Sequence, residues 1–392
     1  MTANMLFGVT PGTGARRKAG PPLRVAVVGT GFMAKTHVQG YRSVGGLFDL
    51  PRDVVLDTIV GTNAEKAADA ATRLRFARSS ADWQTAMVDP GIDIVSITTP
   101  NLLHAPLALA ALAAGKHCFC EKPLSTTLED AVRMTAAAEA AGVVTQVGFN
   151  YIKNPMLALA RDMIAAGELG RITSFRGQHA EGYMSDPETP WTWRLAPQDG
   201  GGALMDLGSH IINMARFLVG PIETLCADIE TVVSSRPVAA GAAEHRAVEV
   251  DDQARLLVRF ARGCSGTIEA SWTSTGRTMQ LGFEIVGEKG TLSFTQERLN
   301  ELLFFKVDAD GTRNGFRTIT AGPQHPPYGN FCIAPGHQIG FNDLKTIEIA
   351  DFLTAIAGGS APFADFREGY EVQRVIEAAR VSSRERRWVE VP

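Results

Sequence analysis

Two side chains that can transfer protons lie four residues apart in the second half of the chain. Asp206 and His210 would share one face of a helix, because side chains at this spacing are neighbours. A carboxylate beside an imidazole fixes the tautomer of the ring and raises its basicity, which suits general acid–base catalysis. The alternative is a buried histidine with a structural role. The preceding run Gly200–Gly202 weighs against that alternative, since glycines favour loops that approach a ligand.

A second pattern is typical of dinucleotide binding. The segment Gly29-Thr-Gly31-Phe32-Met33-Ala34 follows the first apolar run and opens a helical stretch. In this pattern Gly29 permits a tight turn, Gly31 lets the backbone approach a pyrophosphate, and Ala34 allows close packing of helix on strand. The first amides of the helix would then bind phosphate.

The choice between NAD and NADP stays open. The second predicted strand ends at Val60 and continues as Gly61-Thr62-Asn63, without the acid that often holds the ribose hydroxyls of NAD. Thr62 and Asn63 could donate to either cofactor, and no arginine stands beside them. Asp57 precedes the end of the strand and is expected to point elsewhere.

Polar groups also follow two later strands. The first group contains Thr99, Pro100, Asn101 and His104, and the second is Glu121-Lys122-Pro123. The carboxyl ends of parallel strands line the cofactor crevice of a doubly wound sheet. Asn101 is equally well explained as a helix N-cap. Lys122 could reach a substrate oxygen, although such a tripeptide is also common on surfaces.

These residues need a parallel sheet to position them, and the first third of the chain predicts one. Strands alternate with helices, which implies right-handed βαβ units. The predicted strands are 23–28, 54–60, 92–98, 117–120 and 143–149, and the predicted helices start at Met33 or cover 64–74, 105–114 and 128–141.

The remaining sequence predicts an α+β domain with a large, mostly antiparallel sheet. Helices are expected over 155–166, 202–218, 342–356 and 367–380, and strands over 222–235, 251–261, 265–274, 280–287 and 290–295. We therefore expect a flexible leader (1–22), a Rossmann domain that binds NAD(P) (23–149), and a second, α+β domain (150–392).

Composition excludes several classes of protein. The chain has 392 residues, and its 38 basic and 42 acidic side chains give a net charge of −4, so neither nucleic acid nor an anionic membrane is indicated as a partner. The five cysteines are scattered and contain no C-x-x-C, which predicts no disulfide framework, no metal site and a cytoplasmic location.

Taken in order, the motifs resemble the Gfo/Idh/MocA family of oxidoreductases, which includes inositol dehydrogenases and glucose–fructose oxidoreductase. The match comprises the Gly29 loop, Thr99-Pro-Asn101-x-x-His104, Glu121-Lys122-Pro123, Gly148-Phe-Asn150-Tyr151 and Gly200-Gly-Gly…Asp206-x-Gly-x-His210. The resemblance implies an NAD(P)-dependent dehydrogenase whose second domain (150–392) is built on a large open sheet and serves substrate binding and oligomerisation. It also implies a homo-oligomer, a dimer or tetramer, that buries the open face of this sheet. It places Lys122, Asp206 and His210 at the family's catalytic positions.

The expected substrate is a sugar, cyclitol or related polyol. His210 would act as acid and base on a secondary hydroxyl, and Lys122 would stabilise the alkoxide. Asn150, Trp193, Arg194 and His337 are candidate substrate contacts, with Glu181, Tyr183 and Asp186 as weaker ones. Two alternatives remain: a glycosidase that uses NAD for transient oxidation and elimination, and a dinucleotide sensor without catalysis.

Overall fold

The computed structural model describes residues 20–392, so nearly all of the predicted leader lies outside the described residues. Contacts within this range form two compact units. The first extends to Lys153 and also contains Gly322–Tyr370, and the second comprises Asn154–Ala321 and Glu371–Pro392. A compact unit need not be continuous along the chain, so this division does not test the domain limits expected from the sequence. Those limits stay predictions.

The first unit contains the predicted doubly wound sheet. Its six strands within the described range are parallel and lie in the order β3-β2-β1-β4-β5-β6. The strands are β1 (Leu23–Val28), β2 (Val54–Val60), β3 (Arg78–Ser80), β4 (Ile94–Ile97), β5 (His117–Cys120) and β6 (Thr145–Val147). The helices are α1 (Phe32–Leu47), α2 (Ala64–Arg73), α3 (Trp83–Val88), α4 (His104–Ala113) and α5 (Leu128–Ala141).

Several predicted limits of this sheet were wrong. The sequence did not predict β3 or α3, because Arg78-Ser79-Ser80 contains no apolar run. β4 and β6 are shorter than the apolar patterns around them, since the flanking residues belong to the loops at the ends of the strands.

A late segment completes the core of the first unit. Helix α8 (Phe341–Ile356) packs against α1, and a Cβ atom at Gly40 of α1 would lie only 2.6 Å from the Cδ1 of Ile349. Phe352 and Leu353 of α8 belong to the same buried cluster as Val25 and Tyr41. The parallel sheet therefore depends on residues more than three hundred positions away from its first strand.

The second unit is built on a nine-stranded sheet within the described range, in the order β16-β15-β14-β13-β7-β12-β11-β8-β17. β7 and β12 are parallel and all other neighbours are antiparallel. The strands are β7 (Ile172–Ala180), β8 (Ile222–Glu230), β11 (Gln253–Phe260), β12 (Ser265–Ser271), β13 (Gln280–Gly287), β14 (Gly290–Thr295), β15 (Glu301–Lys306), β16 (Phe316–Thr320) and β17 (Val389–Glu390). A separate hairpin consists of β9 (Ser235–Pro237) and β10 (His245–Ala247), and the helices are α6 (Pro155–Ala165), α7 (Ser209–Leu218) and α9 (Phe366–Glu385).

The central strand β7 was not predicted, because its buried face carries few large apolar side chains. Phe175, Gly177 and His179 alternate on that face. A Cβ atom at Gly177 would lie 2.6 Å from the Phe175 ring and 2.8 Å from Ile211 of α7, so glycine allows this helix to approach the sheet.

Strands β15, β16 and β17 were also missed. Along β11 buried and exposed side chains alternate, and Leu257 is exposed on the polar face.

Four ionisable side chains are buried together in the first unit, where α1, β5 and α8 meet. The Lys345 ammonium donates to Glu121 Oε1 at 2.8 Å and to Glu348 Oε2 at 2.6 Å. His37 Nε2 lies 2.7 Å from the same Glu121 oxygen, and its Nδ1 lies 2.7 Å from the Ser96 hydroxyl. We call His37, Glu121, Lys345 and Glu348 the buried charge cluster.

One member of the buried charge cluster makes stability depend on pH. Burial raises the pKa of Glu348 from 4.5 to about 7. Between these pH values the Glu348 carboxyl keeps its proton in the folded protein but has lost it in the unfolded chain. The free energy of unfolding therefore decreases as the pH rises through this range. Glu348→Gln removes the titration and keeps an oxygen that can accept from Lys345. We therefore expect the melting temperature of the variant, relative to wild type, to increase between about pH 5 and about pH 8.

Thermal unfolding followed by circular dichroism across this pH range measures the effect. Glu188→Gln is the control, because Glu188 is exposed. A difference between Glu348→Gln and wild type that does not change with pH would contradict the prediction.

Candidate functional site

The glycine loop after β1 has the geometry that a bound phosphate requires. Gly29 has a φ of +114°, and a Cβ there would lie 2.6 Å from Thr98 Oγ1, so this position requires glycine. Gly31 is the N-cap residue of α1, and a Cβ at Gly31 would meet no atom within 4 Å. The space in front of the first helical amides is therefore open to a ligand. Phe32 is exposed and Met33 is half-buried in the same turn.

Structural contacts occupy the polar groups near the end of β2. The Asn63 side chain caps α2 by accepting from the backbone N–H of Lys66 at 2.9 Å, and Thr62 is exposed. The buried Asp57 carboxylate pairs with Arg24 and Arg78, so it points elsewhere, as expected. The end of β2 is thus followed by Thr62 and Asn63, two polar side chains without charge.

The loop after β4 contains one buried polar atom with no partner among residues 20–392, the Oγ1 of Thr99. Pro100 is the N-cap residue of a short 3₁₀ turn, Asn101–Leu103, and Leu103 is the N-cap residue of α4. The interpretation of Asn101 as the helix N-cap was therefore wrong, because its backbone already lies within the turn.

His104 connects this loop to the next one. Its ring is fully buried, with Nε2 3.0 Å from the carbonyl of Thr99 and Nδ1 2.8 Å from the carbonyl of Pro123. Burial lowers the pKa of the ring. We interpret His104 as a residue that positions the two loops rather than as a cofactor contact.

The loop after β5 places Lys122 between two anchored neighbours. Glu121 is 4% exposed, and its carboxylate belongs to the buried charge cluster. The other oxygen of this carboxylate accepts from the backbone N–H of Lys122 at 3.3 Å. Lys122 itself is half-buried, and the Lys122–Pro123 peptide bond is cis.

Asn150 follows β6 and is buried, with no partner among the described residues for its Nδ2. A buried donor without a partner costs free energy comparable to a lost hydrogen bond. Together with Thr99 Oγ1 and the open space at Gly31, it indicates room and hydrogen-bonding capacity for a bound dinucleotide in the first unit.

In the second unit, Asp206 and His210 lie on a helical segment that begins as a π-helix. The π-helical turn covers Leu204–Gly208, and α7 continues from Ser209. The observed helical segment therefore begins two residues later than the helix predicted over 202–218. Asp206 is half-buried, whereas His210 is 6% exposed and its ring centre lies 5.6 Å from that of His179.

The glycine run before this segment approaches its own chain. A Cβ at Gly201 would collide with the carbonyl of Arg194, and one at Gly202 would collide with the carboxylate of Asp251. Asp251 also accepts from the backbone N–H of Leu204 at 2.6 Å, and burial raises its pKa to about 6. The expectation that these glycines approach a ligand was therefore wrong for Gly201 and Gly202. Gly202 allows Asp251 to hold the start of the π-helical turn, and Gly201 allows the close approach of Arg194.

Two side chains converge on the carboxylate of Asp206. The Tyr183 hydroxyl donates to Oδ2 at 3.1 Å and Arg194 Nε donates to the same oxygen at 3.3 Å. Burial and the neighbouring carboxylate raise the pKa of Tyr183, so its hydroxyl stays a donor. The guanidinium of Arg194 also lies 4.6 Å from the Trp193 ring centre.

A loop anchored by buried contacts carries these residues. Arg236, on β9, is fully buried and donates to the carbonyls of Met184 and Asp186, and Arg246 lies 3.6 Å over the ring of Trp191. Two buried polar atoms of this loop, Trp191 Nε1 and Thr192 Oγ1, have no partner among the described residues. They provide hydrogen-bonding capacity for a polar ligand.

Sequence reasoning gave too little weight to one of these residues and overlooked another. Tyr183 was a weak candidate although it contacts Asp206 directly, and His179 was not considered because β7 was missed. Glu181 lies 3.0 Å from His179 Nε2, and Asp186 accepts from the backbone of Glu188. His337 is exposed in a loop of the first unit, between a 3₁₀ turn and α8.

The described range contains neither a membrane-spanning helix nor a group of side chains suited to bind a metal ion. Within residues 20–392, no helix combines the length and the apolar character needed to cross a membrane. In the same range, His, Cys, Asp and Glu side chains nowhere form a group of three that could hold a metal ion.

Comparison with known proteins identifies similar sequences along nearly the whole chain. Residues 23–149 match a family model described as an oxidoreductase family with an NAD-binding Rossmann fold, and residues 157–293 match the GFO/IDH/MocA C-terminal domain. The chain is 38% identical to levoglucosan dehydrogenase of Pseudarthrobacter phenanthrenivorans, over 94% of this chain and 98% of that protein. It is 34% identical to 1,5-anhydro-D-fructose reductase of Ensifer adhaerens, over 69% of this chain and 74% of that protein.

Solved structures show the same similarity. A levoglucosan dehydrogenase in complex with NADH and levoglucosan superimposes with a TM-score of 0.91 at 39% identity, covering 95% of this chain and 100% of that one.

Replacement of Gly31 tests the dinucleotide loop. Gly31→Val would place a side chain in the space in front of the α1 amides, where a Cβ has no atom of the described residues within 4 Å. We expect the melting temperature to stay close to that of wild type, as for other substitutions without buried contacts. Fluorescence titration should show that NADH binding is lost.

Gly45→Val is the matched control, because Gly45 lies in the same helix and also faces open space. It should bind NADH like wild type. Normal NADH binding by Gly31→Val would show that the dinucleotide lies elsewhere.

Proposed function

The chain belongs to the GFO/IDH/MocA family of oxidoreductases, and from that membership we propose that it is an NAD-dependent dehydrogenase of anhydrosugars or closely related cyclic polyols. It would oxidise a secondary hydroxyl or reduce the matching ketone. The observation that carries this proposal is the similarity to levoglucosan dehydrogenase, which extends over 94% of this chain. The similarity to 1,5-anhydro-D-fructose reductase supports the same class of substrate.

We propose NAD as the preferred cofactor. Levoglucosan dehydrogenase, at 39% identity, has been solved with NADH. In this chain Arg78, on the neighbouring strand β3, already pairs with Asp57 and Asp89. Thr99 and Asn150 would supply hydrogen bonds to the dinucleotide, and the first amides of α1 would hold its phosphates.

The chain's own residues would carry out the proton chemistry. When bound, the nicotinamide supplies the acceptor for the hydride that leaves the substrate carbon. His210 would take the proton of the substrate hydroxyl, and Lys122 would stabilise the negative charge that develops on its oxygen. In the reverse direction His210 would return the proton to the oxygen.

Asp206 would hold a negative charge beside the base while its own position is fixed. Tyr183 and Arg194 both donate to one oxygen of its carboxylate. Trp193 would offer an apolar ring face to the C–H face of a sugar, and the unpartnered atoms of Trp191 and Thr192 would receive hydroxyl groups. His337 is proposed as a peripheral contact only, because it is exposed.

We also propose that the chain forms a homo-oligomer through the outer face of the second sheet. A shallow depression of about 900 Å³ lies on that face, lined by residues of β7, β8 and β11–β14. Leu257 is 52% exposed there, between charged neighbours. All five cysteines are free thiols, which supports the proposed location in the cytoplasm.

A two-way absorbance screen tests the proposed activity. NAD and NADP would each be combined with levoglucosan, 1,5-anhydrosugars, inositols and aldoses, and the formation of reduced nicotinamide would be followed. We expect the highest turnover with NAD and an anhydrosugar. Intact NADH binding without turnover of any polyol would contradict the dehydrogenase.

Variants of the two reacting side chains test their roles. Lys122→Ala and His210→Ala should each lower kcat by about 10²- to 10⁴-fold, the usual contribution of such a group, while the Kd of NADH stays unchanged. His245→Ala is the control, because His245 is exposed on β10. A His210→Ala variant that loses NADH binding would show that His210 contacts the cofactor instead.

A single substitution tests the cofactor preference. Asn63→Asp keeps a side-chain oxygen that can cap α2, because aspartate is as good an N-cap as asparagine. It adds a negative charge that would repel a 2′-phosphate. We expect the ratio of kcat/KM for NAD to that for NADP to rise. Asn63→Ala removes the cap without adding charge and should leave the ratio unchanged.

A further inference from the structure

We propose that Glu121, held by Lys345 and His37, is a positioning residue that fixes the backbone of Lys122. This inference rests on the proposed role of Lys122 in the reaction. Glu121 comes directly before Lys122, whereas Lys345 lies more than two hundred residues further along the chain.

Both partners of Glu121 are fully buried and act on one oxygen of its carboxylate. Lys345 Nζ lies 2.8 Å and His37 Nε2 lies 2.7 Å from Oε1. Burial and the Lys345 charge lower the pKa of His37 to about 4, so the neutral ring can donate from Nε2 and accept the Ser96 hydroxyl at Nδ1. The carboxylate is thus fixed by two donors from helices α1 and α8.

The second oxygen transmits this constraint to the reacting residue. Oε2 of Glu121 accepts from the backbone N–H of Lys122 at 3.3 Å. Behind the carboxylate, a Cβ at Gly148 would lie 2.6 Å from its carbon, so only glycine at this position leaves space for the carboxylate. On the other side of Lys122, His104 holds the carbonyl of Pro123. The backbone of Lys122 is therefore held from both sides.

Stability alone gives a weak reason for burying these charges. Replacing a buried ion pair with apolar side chains of similar volume is often neutral or stabilising. Burial would raise the pKa of Glu121, but Lys345 and His37 hold it well below the usual range, so the group stays ionised. An ionised carboxylate offers both of its oxygens as acceptors, and an apolar side chain could not anchor the Lys122 amide.

The most specific variant replaces one carboxylate oxygen of Glu121 with an amide NH₂ group, which donates hydrogen bonds. In Glu121→Gln the amide oxygen can still accept from His37 and Lys345, which turns the amide NH₂ towards the backbone N–H of Lys122. Lys345 keeps its hydrogen bond to Glu348. We expect kcat to fall between about tenfold and a hundredfold, the size of a displacement near 1 Å, with little change in the KM of the sugar or the Kd of NADH.

Lys345→Met is the second variant, and the same split between kcat and KM is expected from it. Glu348→Gln is the matched control, because Glu348 contacts the same ammonium but makes no contact with Lys122. Its kcat should stay within about twofold of wild type, since the positioning contacts remain. Assays would use NAD and the sugar that gives the highest wild-type turnover.

Hydrogen–deuterium exchange provides a readout that needs no activity. The Lys122 amide should exchange faster in Glu121→Gln than in wild type or in Glu348→Gln, because its acceptor is lost. Unchanged exchange at Lys122 and an unchanged kcat in Glu121→Gln would overturn the inference. If instead Lys122→Ala keeps full turnover, the proposed function of Lys122 fails, while the exchange result still decides the positioning role.

Discussion

The carboxylate of Glu121 constrains much of the first unit at once. It is buried, ionised and bound by side chains from α1 and α8, while its own backbone continues β5. An unpaired charge at this depth would cost several kcal/mol, so each partner must be in place when the core closes. The packing of α8 on α1, the glycine at position 148 and the position of the Lys122 loop all accommodate this one group.

The second unit solves a comparable problem with backbone geometry. Asp206 lies on a π-helical turn that continues into α7, which carries His210. The half-buried Asp251 holds the start of this turn, and the absence of a side chain at Gly202 allows that approach. π-Helical turns are rare and occur often at functional sites. Gly177 has a similar role, because the absence of a side chain at this position lets α7 lie close to the central strand β7.

The sequence was sufficient where the structure depends on a local pattern. The Gly29 loop and the alternating strands and helices of the parallel sheet are short-range signals of this kind. It was insufficient where the partner is distant: Lys345 resembles any helical lysine until α8 is seen against β5. β7 escaped notice for a different reason, because glycine and histidine occupy buried positions that usually carry large apolar side chains, and with β7 the sequence lost His179.

The return of Gly322–Tyr370 to the first unit affects how the chain is made. When a ribosome has released only the first 150 residues, α1 lacks its partner helix and Glu121 lacks its ammonium, so the nucleotide-binding half cannot yet bury its charges. Contacts between distant segments also close slowly, because the intervening chain must first be ordered. Although the glycine motif lies near the N-terminus, the structure that supports it is complete only when the last part of the chain has been synthesised. A fragment limited to the first sheet would therefore be a poor module for transfer to other proteins.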